Sequence, residues 1–217
     1  MALKLILGNK NYSSWSLRPW IAMRNAGIDF EEEVIPLYEP GSADRILAYS
    51  PTGKVPVLLD GEMVIWESLA ILDHLAEKFP KAALWPADPK ARAHARAISS
   101  EMHAGFMNLR RHCPMNMRRE RRERELTAEV AADIRRIEQI WTDCRARFGG
   151  EGPFLFGAFG AADAMYAPIV SRFASYDIGV GAAAEAYMTA VMALPAWIEW
   201  RDAGIAESWA MPGNEVN

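Results

Sequence analysis

The sequence changes character at three prolines, Pro80, Pro86 and Pro89. Before them, residues 3–79 alternate between short apolar runs typical of strands and longer stretches typical of helices. Beyond them, strand signals almost vanish and helical patterns remain. We therefore predict an α/β domain over residues 1–80, a linker over 81–89 and an all-α helical bundle over 90–217.

Local patterns predict the individual elements. In the first half, the predicted strands cover residues 3–7, 30–36, 55–60 and 62–66. The predicted helices there cover residues 16–26 and 42–48, and a third begins at Glu67. Asp60-Gly61 is a two-residue hairpin signal, so the last two strands should be antiparallel neighbours. In the second half, apolar side chains at helical spacing predict helices along residues 91–109, 126–148, 165–173, 182–193 and 195–203.

Composition excludes several classes of protein. The chain has 217 residues, 51% of them hydrophobic, and a net charge of −4, which argues against a general nucleic-acid binder. No run of about 20 apolar residues could span a membrane, and the first residues lead directly into a strand without a signal sequence. We therefore expect a cytoplasmic location. Cys113 and Cys144 lack Cys-x-x-Cys spacing, so we expect packed or free thiols.

A serine-rich turn lies between the first strand and the first helix. Pro19 favours a helix that starts just before it, which makes Ser16 the predicted N-cap and leaves Ser13 and Ser14 on the loop. Free N–H groups, the helix dipole and hydroxyl donors at such a place can stabilise an anion. The alternative, open at this point, is that all three serines only cap the helix.

Two further clusters could hold a peptide-like ligand. A proline at position 56 is tolerated at a strand start, at an edge or after a cis bond, and Val55 could then turn its backbone outward to pair with a ligand. Glu67 and Ser68 stand where a helix begins, so Ser68 and nearby amides suit a carboxylate and Glu67 suits an ammonium. A simple cap is the alternative reading of this second cluster.

In order and spacing, these clusters resemble the glutathione transferase family. The resemblance rests on the serine turn, on Ser50-Pro51-Thr52-Gly53-Lys54-Val55-Pro56, on Glu67-Ser68, and on Leu84-Trp85-Pro86 with Asp88-Pro89 before a helical half. Each motif alone is weak, but the ordered set covers nearly the whole chain. The turn Ser13-Ser14-Trp15 is similar to the Ser-Ser-Cys turn of the zeta class, which includes maleylacetoacetate isomerases, but has Trp15 in place of the cysteine.

The resemblance implies a thioredoxin-like first domain that binds glutathione, a helical second domain that supplies most of the second-substrate pocket, and a homodimer without a metal. Ser13 would hydrogen-bond the glutathione sulfur, with Ser14 as second and Tyr12 as third candidate. The tripeptide would be bound by Lys54, Val55, a cis Pro56, Glu67 and Ser68. The implied function is a glutathione transferase acting on a small electrophile. A zeta-like isomerase and a non-catalytic binding protein are the alternatives.

Other candidate residues carry less weight. Asp163 follows Gly160 by three residues, so we interpret it as structural at a helix start. His94, His103 and His112 share one predicted helix, but their spacing along it predicts no metal site. The arginine-rich stretch 110–124 is either a solvated face or places Arg110, Arg111 or Arg118 at the mouth of the cleft, where they would favour anionic substrates. The apolar wall would then come from Met102, Phe106 and Met107.

Overall fold

The computed structural model describes residues 2–216. Its first half contains strands β1 (Leu3–Leu7), β2 (Phe30–Val34), β3 (Val57–Asp60) and β4 (Met63–Trp66) and helices α1 (Ser14–Asn25), α2 (Ser42–Leu47) and α3 (Ser68–Lys78). The sheet order is β2-β1-β3-β4. β1 runs parallel to β2 and antiparallel to β3, and β3 runs antiparallel to β4. The predicted hairpin is confirmed, because Asp60 pairs with Met63 across the turn.

From Leu5 to Leu7, strand β1 is buried on both faces, which explains why these three residues are apolar without alternation. Lys4, nearer its start, is partly exposed and pairs with Glu33. Leu5 and Leu7 face the main core with α1 and α3, whereas Ile6 joins Val57 and Ile46 in a smaller cluster beneath α2. The sheet is therefore covered by helices on both sides. This arrangement brings the C-terminal end of β1 and the start of α1 to one edge of the domain.

The second half is helical. It contains α4 (Pro89–Ala104), α5 (Met107–His112), α6 (Ala128–Phe148), α7 (Ala161–Ser175), α8 (Ala182–Met192) and α9 (Pro195–Ala206). Every residue of α7 from Ala161 to Phe173 is buried, and α1 and α4 both pack against this helix. No helix within residues 2–216 is long and apolar enough to cross a membrane.

The main apolar core is continuous between the two halves. Trp20 of α1 and Trp200 of α9 meet edge to face with ring centroids 5.1 Å apart, which is a favourable aromatic geometry. The thioredoxin-like first half and the helical second half therefore share one core, and the predicted fold class is confirmed.

The prediction of one helix along residues 91–109 is wrong. The chain breaks after Ala104, and Phe106 has a left-handed φ of +60°. A Cβ at Gly105 would lie 2.8 Å from the carbonyl oxygen of Glu101, so glycine is required where the chain turns. His112 consequently lies on α5, not on the helix that carries His94 and His103.

Candidate functional site

The N-cap of α1 is Ser13, not Ser16. The Ser13 Oγ accepts from the Ser16 N–H at 3.3 Å and donates to the Ser16 Oγ at 2.8 Å. The prediction is wrong because Pro19 does not lie in the first turn. It lies further inside the helix, where a proline costs one backbone hydrogen bond and is nevertheless accommodated.

Ser14 opens the helix and its hydroxyl makes no hydrogen bond within residues 2–216. The backbone N–H of Trp15 is also without a partner in that range, as expected in the first turn of a helix. An uncommitted hydroxyl and an uncommitted amide therefore lie side by side at the positive end of α1.

Tyr12 is occupied elsewhere. Its phenol oxygen accepts from the Arg118 Nη2 at 2.6 Å, and its O–H donates to the carboxylate of Glu215. The ring is buried beneath the C-terminal segment. Its hydroxyl is therefore not free to act as a donor in the site.

The Val55–Pro56 peptide bond is cis, as the resemblance implies. Strand β3 begins at Val57, not at residue 55, so Val55 lies outside the ladder. Neither backbone polar group of Val55 has a hydrogen-bond partner among the described residues. The loop before it is closed by the Lys54 N–H, which donates to the Ser50 Oγ at 3.3 Å. The Val55 backbone is thus available to an extended ligand.

Glu67 and Ser68 mark the junction between β4 and α3. Glu67 has a left-handed φ of +67° and makes no side-chain cap bond. The Ser68 hydroxyl is buried without a partner within residues 2–216. Neither side chain therefore acts as the cap that the alternative reading required, and backbone strain of this kind is concentrated at functional sites.

Two adjoining cavities bring these clusters together. The smaller, of about 350 Å³, is lined by Trp15, Thr52, Lys54, Val55, Pro56, Trp66, Glu67, Ser68 and His103. The larger, of about 510 Å³, is lined by Ser13, Trp15, Leu37, Tyr38, Glu39, Ser42, Ala43, Ile46, Gly53, Lys54 and Val55. Trp15, Lys54 and Val55 line both. All predicted site residues except Ser14 and the third candidate Tyr12 therefore line one or both of these cavities.

Trp15 contacts two arginines. The Arg18 guanidinium is 4.1 Å from the ring centroid of the indole and that of Arg110 is 4.7 Å away. Burial, with the nearby charge of Arg110, holds the pKa of Arg18 well below its usual range. Burial also lowers the pKa of Arg110. No described carboxylate forms an ion pair with either guanidinium, so the indole is their principal polarisable neighbour.

His103 is the functional candidate that the sequence reasoning missed. It reaches the smaller cavity from the end of α4, and its Nε2 lies 3.4 Å from the Glu67 Oε2. Spacing along one helix gave no sign of this contact, because Glu67 belongs to the other half of the chain. Among the described residues of the helical half, His103 is also the only one that lines either cavity. The expectation that this half supplies most of a second-substrate pocket is not met by these two cavities.

The arginine-rich stretch has structural contacts. Arg118 does not lie at the cleft mouth, because its guanidinium donates to the carbonyl oxygens of Glu207 and Trp209, each at 2.6 Å. Arg111 is exposed. Of the three arginines considered, Arg110 comes nearest to the cleft, through its contact with Trp15. The apolar wall expected from Met102, Phe106 and Met107 is also not found, since none of them lines either cavity.

Asp163, the cysteines and the remaining histidines lie outside the cleft. Asp163 is buried and accepts from the backbone N–H groups of Leu155 at 3.0 Å and Gly160 at 2.9 Å, in agreement with a structural role. Cys113 and Cys144 are buried free thiols. Within residues 2–216, no group of three histidine, cysteine or acidic side chains is placed to hold a metal ion.

Comparison with known proteins identifies two matching family patterns. Residues 12–78 match the glutathione S-transferase N-terminal domain and residues 124–203 match the glutathione S-transferase C-terminal domain. A probable maleylacetoacetate isomerase of Caenorhabditis elegans is 38% identical over 96 residues, which is 44% of each chain. Glutathione S-transferase Z2 of Arabidopsis thaliana is 27% identical over 161 residues, which is 69% of this chain and 72% of that protein. In the first of these relatives the matched region is less than half of the protein's length.

The fold is also found among solved structures. A Burkholderia glutathione transferase homolog with bound glutathione superimposes with a TM-score of 0.70 at 22% identity. The match covers 95% of this chain and 100% of that one. At this identity, the similarity concerns the fold.

Proposed function

The chain belongs to the glutathione S-transferase family, and from that premise we propose that it binds glutathione and stabilises its thiolate with the serine turn for attack on a small electrophile. The observation that carries this proposal is a pair of adjoining cavities: Ser13 lines one, Glu67 and Ser68 line the other, and Val55 lines both.

The cleft offers a place for each part of the tripeptide. The γ-glutamyl end would occupy the smaller cavity, where Ser68 and the start of α3 suit its carboxylate and Glu67 suits its ammonium. The cysteinyl unit would pair with the Val55 backbone next to the cis Pro56. The thiol would then enter the larger cavity beside Ser13, with Lys54 near the glycyl carboxylate.

A hydrogen bond to the sulfur is sufficient to change its ionisation. A thiol with a pKa of about 8.5 is only about 3% thiolate at pH 7, and the thiolate is the nucleophile. One hydrogen bond to a charged group is worth roughly 1.5–3 kcal/mol, which corresponds to a fall in pKa of about one to two units. The ionised fraction would then rise to as much as about three quarters at pH 7.

Two serines can supply this bond. Ser13 lies in the wall of the larger cavity, and its proton would turn from the Ser16 Oγ to the sulfur when the ligand binds. Ser14 has a free hydroxyl next to the free Trp15 N–H, but it does not line either cavity. We propose Ser13 as the thiolate donor and Ser14 as the second candidate.

A zeta-like isomerase is a second candidate function. The similarity to a protein named as a probable maleylacetoacetate isomerase favours it. Trp15 opposes it, because a bulky indole in contact with two guanidiniums fills the position where the zeta turn has a cysteine. Assay of cis/trans isomerisation of a maleyl-type substrate in the presence of glutathione separates the two functions.

We also propose that the protein forms a homodimer and is located in the cytoplasm. We further propose a first domain over residues 1–80, a linker over 81–89 and a helical domain over 90–217. The exposed apolar side chains of Met63 and Val64 on edge strand β4 support a second copy of the chain there, because unprotected edges of this kind tend to pair. Sedimentation equilibrium tests the dimer, and a monomer at micromolar concentrations would contradict it.

The thiolate proposal is tested by calorimetric binding of glutathione, by the ultraviolet absorbance of the bound thiolate as a function of pH, and by conjugation of a generic aromatic electrophile. We expect Ser13→Ala to raise the pKa of the bound thiol and to lower the conjugation rate. Ser99→Ala is the matched control, since this hydroxyl on α4 is buried without a partner among the described residues. An unchanged Ser13→Ala enzyme transfers the role to Ser14. Binding without conjugation identifies a non-catalytic binding protein, and absence of glutathione binding overturns the proposal.

A further inference from the structure

His103 lies in the site without a task in the thiolate proposal. It occupies the last turn of α4, with its imidazole edge-on to Trp15 at a centroid distance of 5.2 Å. The Nε2 faces the Glu67 carboxylate at 3.4 Å, and the Nδ1 is buried with no partner within residues 2–216. An unpartnered lone pair is less costly than an unpartnered N–H. This arrangement favours the tautomer with the proton on Nε2, directed at Glu67.

The charges around the imidazole keep it neutral at pH 7. Burial lowers the pKa of His103, and the positive charges of Arg18 on α1 and Arg110 on α5 lower it further. Only Glu67 acts in the opposite direction. The Nε2–H of His103 therefore faces a carboxylate as a neutral donor and leaves the negative charge of Glu67 available to a cation.

The Glu67 side chain has no other fixed partner among the described residues. It is half exposed, and His103 is the only group recorded within ion-pair distance of its carboxylate. A free glutamate loses rotamer freedom when it binds a ligand, and a neighbour that fixes it beforehand reduces that loss. The 3.4 Å separation is longer than a good hydrogen bond, so a small rotation of Glu67 would complete the contact.

We propose that His103 is a positioning residue for ammonium recognition: its Nε2–H orients one oxygen of Glu67 so that the other receives the α-ammonium of the γ-glutamyl group. This role rests on the proposed binding of glutathione and makes the site selective for a free amino group at that end of the ligand. His103 is not the base for the thiol, because it lines the cavity that contains Glu67 and Ser68 and not the one that contains Ser13.

The test compares glutathione with glutaryl-cysteinyl-glycine, which is the same tripeptide without the α-amino group. Calorimetry gives the dissociation constant of each ligand for the wild type, His103→Phe and His103→Gln. His103→Phe keeps a ring against Trp15 and removes the donor, and His103→Gln keeps an N–H donor. We expect the wild type to prefer glutathione, His103→Phe to lose roughly 3- to 10-fold of that preference, and His103→Gln to regain most of it. His112→Phe on α5 is the matched control and should leave the preference unchanged.

The outcomes separate this role from the proposed function. If His103→Phe weakens both ligands equally, or neither, the positioning role is overturned while glutathione binding stands. If the wild type binds neither ligand, the proposed function fails and the positioning role fails with it.

The dependence of the glutathione preference on pH is a further test. As His103 gains a proton below its lowered pKa, the imidazolium should repel the ammonium, so the wild-type preference for glutathione should fall while that of His103→Gln does not. If the wild-type preference for glutathione stays constant as the pH is lowered through the pKa of His103, the positioning role is also overturned.

Discussion

Ser13 and Ser16 are joined by a hydrogen bond of 2.8 Å between their hydroxyls, in which Ser13 is the donor. The same Ser16 oxygen accepts from the backbone N–H of Gly8 at 3.0 Å. Ser16 thus connects the end of β1 to the start of α1. It holds the turn in place and competes with any ligand for the proton of Ser13. One short cluster therefore combines a helix cap with the proposed thiolate site.

Replacement of Ser16 should separate these two effects. Ser16→Ala leaves the buried Gly8 N–H unsatisfied, so we expect a loss of about 1–3 kcal/mol in the free energy of unfolding. It also removes the competing acceptor, so the pKa of the bound glutathione thiol should not rise. Urea unfolding and thiolate absorbance measure the two quantities, with Ser99→Ala as control. A thiol pKa that rises as much as in Ser13→Ala would show that Ser16, not Ser13, supports the thiolate.

Much of this fold follows from local pattern. Strand β1, the Asp60-Gly61 hairpin and helix α6 were predicted within a few residues. β1 is a short, mostly apolar run, the hairpin has its turn signal, and α6 has a helical period and a stop at Gly149. The start of α1 was predicted within two residues, but its cap was not. Ser13, Ser14 and Ser16 are all suitable caps by residue type, and the sequence does not show that the Ser16 N–H donates to the Ser13 Oγ. The break between α4 and α5 was not predicted, because apolar residues at helical spacing continue on both sides of Gly105.

For the candidate site as well, local motifs were predictive and contacts between distant parts of the chain were not. The ordered motifs at Val55-Pro56 and Glu67-Ser68 predicted a cleft, and the structure brings them together. The contact between His103 and Glu67 could not be predicted, because it depends on how the helical half packs on the sheet. The stacking of Arg18 and Arg110 on Trp15 depends on the same packing.

Arg118 should stabilise the C-terminal segment and not a substrate. Its guanidinium donates to the carbonyl oxygens of Glu207 and Trp209 and to Tyr12. We expect Arg118→Ala to cost about 2–3 kcal/mol and to make the chain beyond α9 sensitive to proteolysis. The control is Arg121→Ala, which removes an exposed pair with Asp177 and should cost less than about 1 kcal/mol. If Arg118→Ala remained stable but lost affinity for anionic substrates, the cleft-mouth interpretation would be restored.

Trp15 should stabilise the two guanidiniums that contact its ring. Trp15→Ala removes both cation–π contacts and leaves the buried Arg18 with less compensation, for an expected loss of about 2–4 kcal/mol. Trp15→Phe retains a ring face and should lose less than half as much. Thermal unfolding compares the two variants. Equal loss in both would indicate that the indole N–H or its size, not the ring face, provides the stabilisation.

The two cysteines should be unreactive in the native protein. Burial raises the pKa of the Cys113 thiol to about 11 and that of Cys144 to about 12, so almost no thiolate is present near neutral pH. A disulfide reagent that reports free thiols should detect neither in buffer and both in denaturant. Rapid reaction of one thiol in the native state would reveal local opening around the corresponding helix.

Asp163 should make the stability of the protein depend on pH. Burial raises the pKa of its carboxyl from 3.8 to about 6, although the N–H groups of Leu155 and Gly160 oppose that shift. Between these two values the folded chain binds more protons than the unfolded chain, so stability falls as the pH rises. The contribution is fully present below the unfolded pKa and is lost as the pH rises through about 6. A shift of about two units corresponds to about 3 kcal/mol.

The matched variant is Asp163→Asn, which has a similar shape and no titration in this range. We expect the wild type to gain stability relative to Asp163→Asn as the pH is lowered from about 7.5 to about 4.5, because only the wild-type side chain takes up a proton there. Urea unfolding of both proteins across this range provides the difference in free energy. A difference that is independent of pH, or that changes with the opposite sign, would show that the hydrogen bonds from Leu155 and Gly160 outweigh the cost of burying the charge.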